Sequence, residues 1–124
     1  MARIGLLILA ASLAAGFQQK PQEPPEEDEA LAAREYSFNP LQADKELKIG
    51  NFYFKKGSYR AAASRFREAT RWNPGFAEAW LRLGEAQEKL GDAKAAREAF
   101  RKFLELAPKH RRAAEIRKKL AGAG

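Results

Sequence analysis

Residues 43–76 read ADKELKIGNFYFKKGSYRAAASRFREATRWNPGF, and residues 77–110 follow without a gap as AEAWLRLGEAQEKLGDAKAAREAFRKFLELAPKH. At this offset of 34, ten positions are identical: Ala43/Ala77, Leu47/Leu81, Gly50/Gly84, Lys55/Lys89, Gly57/Gly91, Ala61/Ala95, Ala62/Ala96, Phe66/Phe100, Arg67/Arg101 and Pro74/Pro108. The shared positions are those a pair of packed helices needs. Small residues stand where two helices approach, a second glycine stands where a turn would fall, and proline closes each unit.

Local signals divide the repeats into helices. Asn39-Pro40 reads as an N-cap with proline in the first turn, predicting a helix from Pro40 to about Lys56. Gly57 ends it and Ser58 caps a second helix over 59–72, where Ala62, Phe66 and Ala69 recur at helical spacing. Asn73-Pro74 repeats the opening signal, predicting a third helix to about Leu90, and Gly91-Asp92 repeats the turn before a fourth over 93–107. Pro108 predicts a fifth helix over 109–121, with Ala113, Ile116 and Leu120 on one face and the basic residues elsewhere. After Pro40 only Ile49, Thr70 and Ile116 are β-branched, so sheet is disfavoured.

The pattern W-x2-L-G-x2-Y…A-x3-F…P with period 34 is that of the tetratricopeptide repeat, and both copies resemble it. The first supplies Ile49-Gly50, Tyr53, Ala62, Phe66, Ala69 and Pro74; the second supplies Trp80, Leu83-Gly84, Ala96, Phe100 and Pro108. Glu46 departs from the Trp position of the first copy, and Gln87 and Phe103 depart from the Tyr and second Ala positions of the second. The resemblance implies an all-α fold: two helix-turn-helix repeats, 43–76 and 77–110, and a C-terminal capping helix at 109–121, in a short right-handed superhelical stack over 41–121.

Ahead of the repeats, residues 1–16 read as a signal sequence: basic Arg3, an apolar run from Ile4 to Ala15, and small residues at Ala14 and Gly16 for cleavage before Phe17. The run is shorter than the roughly 20 residues of a membrane-spanning helix. Retention as an anchor, or burial as an N-terminal helix, is the alternative. Residues 17–40 form an acidic linker of net charge −4, proline-rich at Pro21, Pro24 and Pro25 and ending in the aromatics Tyr36 and Phe38. Residues 29–35 can form a short helix. Tyr36-Ser37-Phe38 is expected to pack on the first repeat. Two repeats and one closing helix leave a small core, burying about 60–65% of the unfolded surface, so an end-covering segment, a partner or a second copy would add stability.

No chemistry-bearing constellation stands out. The chain has no cysteine, which excludes disulfides and a lipidated cysteine, and its single histidine, His110, is expected to be neutral surface. Gly57, Gly84 and Gly91 follow no strand and precede no G-K-[ST], so they make no phosphate loop. Neither an enzyme nor a cofactor, metal or small-molecule substrate is expected.

Recognition of a protein or peptide is the expected function. In the resembled family the first helix of each pair lines a groove, which places Leu47, Asn51, Phe54, Leu81, Arg82 and Glu85 on one inner surface. Leu47 and Phe54 have plain packing as an equal alternative. Some members hold a peptide carboxylate with Lys and Asn at the positions of Leu47 and Asn51; the leucine here disfavours that clamp. A mixed apolar and charged groove suits an amphipathic or extended peptide.

Residues 41–124 carry 20 Lys and Arg against 10 Asp and Glu, which offers a second reading. Basic residues clustered in the closing helix, Arg111, Arg112, Lys118 and Lys119 among them, would meet an anionic membrane surface or, less readily, nucleic acid. A third reading comes from FYFKKGSYRAA at 52–62, which is similar to the repeat component of bacterial outer-membrane β-barrel assembly machines. That family is lipidated and has about five repeats, features this chain does not share. Export to a periplasmic or membrane-associated location follows from the signal reading.

Overall fold

A computed structural model describes residues 36–122; the signal, linker and short-helix readings of residues 1–35 lie outside them. Five helices follow one another: α1 Pro40–Lys55, α2 Tyr59–Trp72, α3 Ala77–Lys89, α4 Ala93–Leu106 and α5 Ala113–Gly122. No strand occurs among the described residues. Helices α1 and α2 form one hairpin and α3 and α4 a second; α2 packs on α3, and α5 closes against α4.

The two hairpin turns are built alike. Gly57 and Gly91 adopt φ of 80° and 81°, a left-handed conformation that glycine enters without the Cβ clash of other residues. The following amides then turn back onto the preceding helix, Ser58 N–H to the Tyr53 carbonyl at 2.9 Å and Asp92 N–H to the Gln87 carbonyl at 3.0 Å. Asp92 also caps α4, accepting from the Ala95 amide at 3.2 Å, whereas the Ser58 side chain makes no cap bond.

Within each hairpin a phenylalanine from the second helix lies on a glycine of the first. A Cβ at Gly50 would sit 2.5 Å from Phe66 Cε1, and one at Gly84 would sit 2.5 Å from Phe100 Cε1. The repeated Gly and Phe therefore set how closely the helices approach. Phe66 stands at the centre of a core with Leu47, Ala62, Ala63, Ala69, Ala79, Leu83, Ala86 and Ala99. Phe100 joins Leu81, Ala96, Phe103 and Ile116 in a second cluster. Ile116 is how α5 covers the end of the stack.

Two helix starts differ from the sequence expectation. At α1 the Asn39 side chain accepts from the Gln42 amide at 3.0 Å and the helix begins at Pro40. At the second Asn-Pro the Asn73 side chain bonds the nearer Gly75 amide at 3.1 Å, closing a turn, and Phe76 becomes the cap of a helix beginning at Ala77. Glycine at 75, where α1 has Leu41, favours that turn over a helical start. The expected helix from Pro108 likewise begins only at Ala113. His110 occupies the repeat position of Phe76, and its carbonyl accepts from the Ala113 amide at 2.8 Å as that of Phe76 accepts from the Ala79 amide at 3.0 Å.

The aromatic end of the linker divides into two behaviours. Tyr36 meets Trp72 edge-on with centroids 4.8 Å apart, and its hydroxyl donates to the Glu68 carboxylate at 3.1 Å. The Asn39 amide bonds the Trp72 carbonyl at 2.9 Å. Phe38 points outward, 70% exposed. Tyr36→Ala is therefore expected to lower the melting temperature by several degrees, from about 1–2 kcal/mol of lost aromatic contact in so small a domain. Phe38→Ala should leave it unchanged, and thermal denaturation of both variants checks the pair.

Candidate functional site

The residues expected to face one groove divide by depth. Leu47 is 9% exposed and Leu81 fully buried, so both belong to the core and neither offers an apolar anchor to a partner. The expectation is corrected in depth, not in direction. Leu47 and Asn51, like Leu81 and Glu85, lie four apart on one helix face; the leucines differ in depth, packed in the two core clusters, as the plain-packing alternative for Leu47 has it. Asn51, Phe54, Arg82 and Glu85 remain partly accessible and are brought together.

They form a continuous row. The Arg82 guanidinium lies 4.3 Å from the Phe54 ring centroid, a cation–π distance, and 5.6 Å from that of Phe66. Its Nε donates to Asn51 Oδ1 at 3.0 Å and its Nη1 to Glu85 Oε1. The other Glu85 oxygen accepts from Arg112 Nη2 at 2.7 Å. Arg112 also grips Glu115, Nε to Oε1 at 3.0 Å and Nη2 to Oε2 at 2.6 Å. Side chains of α1, α3 and α5, with the turn before α5, are thus tied by alternating charges. Arg82 and Glu85 are three apart on one helix, which makes them surface neighbours.

Arg112 was expected on an open basic surface; it is committed to this row. Both carboxylates hold its guanidinium protonated well above the ordinary arginine value, with the Glu115 hydrogen bond the largest cause, set against burial. In return, the Arg112 hydrogen bond holds the Glu115 carboxyl below its ordinary value. A depressed carboxylate contributes to stability above its unfolded pKa and loses that contribution as pH falls through the folded one. In a carbon-detected NMR titration, Glu115 should remain charged below the usual glutamate range of about 4.3. Arg112→Gln should return it to that range.

The remaining basic residues of the closing helix divide similarly. Lys119 Nζ pairs with Glu88 at 2.7 Å and lies 5.4 Å from the Phe100 centroid. Arg117 donates to the Pro108 carbonyl at 2.7 Å. Arg111 and Lys118 are exposed, and their side chains make no hydrogen bond or ion pair among the described residues. Of the four residues expected to form a basic surface, two are spent holding α5 to the stack.

His110 is not plain surface. It meets Phe103 edge-on at 5.0 Å, and its Nδ1 accepts from the Arg112 amide at 3.0 Å. Its Nε2 lies 3.7 Å from Glu78. The imidazole thus closes the turn that positions Arg112. Glu46, noted as standing where a tryptophan belongs, is 7% exposed and held by Gln42 and by Arg65, each at 3.0 Å. Among the described residues no group of three His, Cys, Asp or Glu side chains could hold a metal ion.

Paired antiparallel helices, a Gly/Phe contact repeated at a fixed interval and a row of side chains linking the first helices of the pairs define a helical-hairpin repeat protein. Its residues 47–111 match the model of the tetratricopeptide repeat. The chain belongs to that family, whose repeats serve as protein–protein interaction modules. No curated protein matches the chain.

Proposed function

We propose that this domain is the non-enzymatic interaction scaffold of an exported protein, and that it captures an extended or amphipathic peptide on the face shared by α1, α3 and α5. The observation that carries this is the Arg82 guanidinium, fixed over Phe54 between Asn51 and Glu85. Such an arrangement presents an aromatic edge, a carboxamide and oriented N–H donors whose geometry is settled before a partner arrives, so little ordering cost falls on binding. With Leu47 and Leu81 buried, recognition relies on this aromatic-polar row. An assembly-factor role at an outer membrane is the specific form that the 52–62 resemblance suggests.

A pull-down from a Gram-negative envelope extract, followed by binding of the recovered partner to variants, tests the face. Asn51→Arg with Phe54→Ala should abolish binding while circular dichroism shows intact helix. Arg111→Glu with Lys118→Glu should leave binding nearly unchanged, since those residues lie off the row. The opposite result, with binding that weakens steeply as salt rises, would assign the partner to the basic closing helix instead. Export is tested separately: mass spectrometry of protein made in a Gram-negative host should find a mature start near Phe17, and an intact Met1 in the cytosol would overturn it.

A further inference from the structure

Between the two repeats lies a cavity that the row of inner residues does not use. It lies among α2, α3 and α4, with a volume of about 370 Å³, inside the range of pockets that hold small organic groups, about 300–1,000 Å³. Trp80, Leu83 and Ala99 supply apolar wall, and Arg67, Arg71 and Glu98 are the charged residues of the lining. Gln87 lines it too. That side chain is 6% exposed, and among the described residues nothing hydrogen-bonds its carboxamide. A buried amide without partners is costly, and few native side chains are left so. Thr70, beside it, is not in the same condition: its hydroxyl donates to the Arg67 carbonyl at 2.7 Å.

The repeat register indicates what the cavity is shaped for. Gln87 occupies the position of Tyr53 in the first copy, where the phenol ring packs against the core and meets Phe52 edge-on at 5.5 Å. In the second copy the helix carries an amide instead of a ring, and the neighbouring positions 95 and 99 are both alanine. Where the first copy has a phenol ring the second has a carboxamide, which can donate to a phenol oxygen and accept from a phenol O–H. Of the charged residues in the lining, Arg71 is paired with Glu68 at 3.1 Å, and Arg67 forms no ion pair among the described residues.

We propose that this cavity binds a phenol group, the side chain of a tyrosine on a partner protein, with Gln87 as its hydrogen-bonding contact and the Trp80 and Leu83 side chains as its walls. This site lies apart from the α1–α3–α5 row and does not depend on the function proposed for it. The probes are p-cresol, toluene and the tripeptide acetyl-Gly-Tyr-Gly-amide, titrated into the ¹⁵N-labelled full chain by NMR. Saturable shifts at Arg67, Trp80, Gln87 and Ala99 are expected with p-cresol and the tripeptide, and about tenfold weaker shifts with toluene. Gln87→Leu, nearly the same size but without the amide, should reduce the p-cresol preference over toluene to near unity. Gln87→Tyr places a ring of the protein's own in the slot; it should abolish p-cresol binding without lowering the melting temperature. Absence of saturable shifts in the wild type, equal affinity for p-cresol and toluene, or undiminished binding to folded Gln87→Tyr would each overturn the proposal. A cavity that takes p-cresol but excludes the tripeptide would overturn its assignment to a partner's tyrosine.

Discussion

Gly84→Ala is expected to lower the melting temperature by about 5–15 °C, although alanine is the better helix former. Intrinsic propensity favours alanine over glycine by about 1 kcal/mol in a helix interior. Against that, the new Cβ would stand 2.5 Å from Phe100 Cε1 and 2.6 Å from Cδ1. Phe100 is 2% exposed and packed among Leu81, Ala96, Phe103 and Ile116, so a displaced ring gives up contacts with them. Overpacking of this kind costs about 1–3 kcal/mol, and the spreading helices lose further contacts. In a domain of this size 1 kcal/mol moves the midpoint by about 4–8 °C. The Gly50 and Phe66 pair, with the same 2.5 Å approach, should respond alike. Gly75→Ala is the control, since its Cβ would meet only Asn73 Oδ1 at 3.7 Å. If the ring contact is the cause, Phe100→Leu should cost less in the Gly84→Ala background than in the wild type, a coupling that a double-mutant cycle measures. Additive costs would place the effect elsewhere.

Leu81→Glu is expected to abolish the folded state at room temperature. Leu81 is fully buried in the cluster that joins α3, α4 and α5. An unpaired carboxylate there costs several kcal/mol, or forces the group to stay protonated. A chain of this length has a total stability of about 5–15 kcal/mol at most, and a small core keeps it near the lower end. Leu47→Glu should be milder, because Leu47 retains 9% exposure through which a carboxylate can reach water. Far-ultraviolet circular dichroism decides the matter: helical Leu81→Glu protein with a melting point near that of the wild type would refute the burial. The result bears on function as well, because loss of binding in either variant would report unfolding rather than a contact.

The repeat made the helix pairing legible, because Gly50, Gly84, Phe66 and Phe100 mark the close approach whatever surrounds them. The left-handed turns at Gly57 and Gly91 were legible for the same reason, as a local backbone demand met by one residue. The starts of α3 and α5 were not. Asn73-Pro74 has the same two letters as Asn39-Pro40, and the difference lies in which amide the asparagine reaches. For the candidate site, register gave direction without depth: Asn51, Phe54, Arg82 and Glu85 touch one another at the surface, whereas Leu47 and Leu81, grouped with them, are buried. The Arg112 row was invisible for a further reason. Its partner Glu85 is far away in sequence, and the turn that delivers Arg112 depends on an imidazole hydrogen bond that composition does not announce.

The turn closed by His110, in the register of Phe76, has a consequence for how such a chain can change length. The closing helix sits where the first helix of a third unit would begin, and charged groups at its surface hold much of its grip. One end of the molecule is therefore a splice point. A further 34-residue unit inserted after His110 would meet the same turn geometry on entry and hand the same geometry to the closing helix on exit. The row begun by Asn51, Arg82 and Glu85 would lengthen by one register step, so a binding surface in this architecture can be extended by copying rather than by redesign.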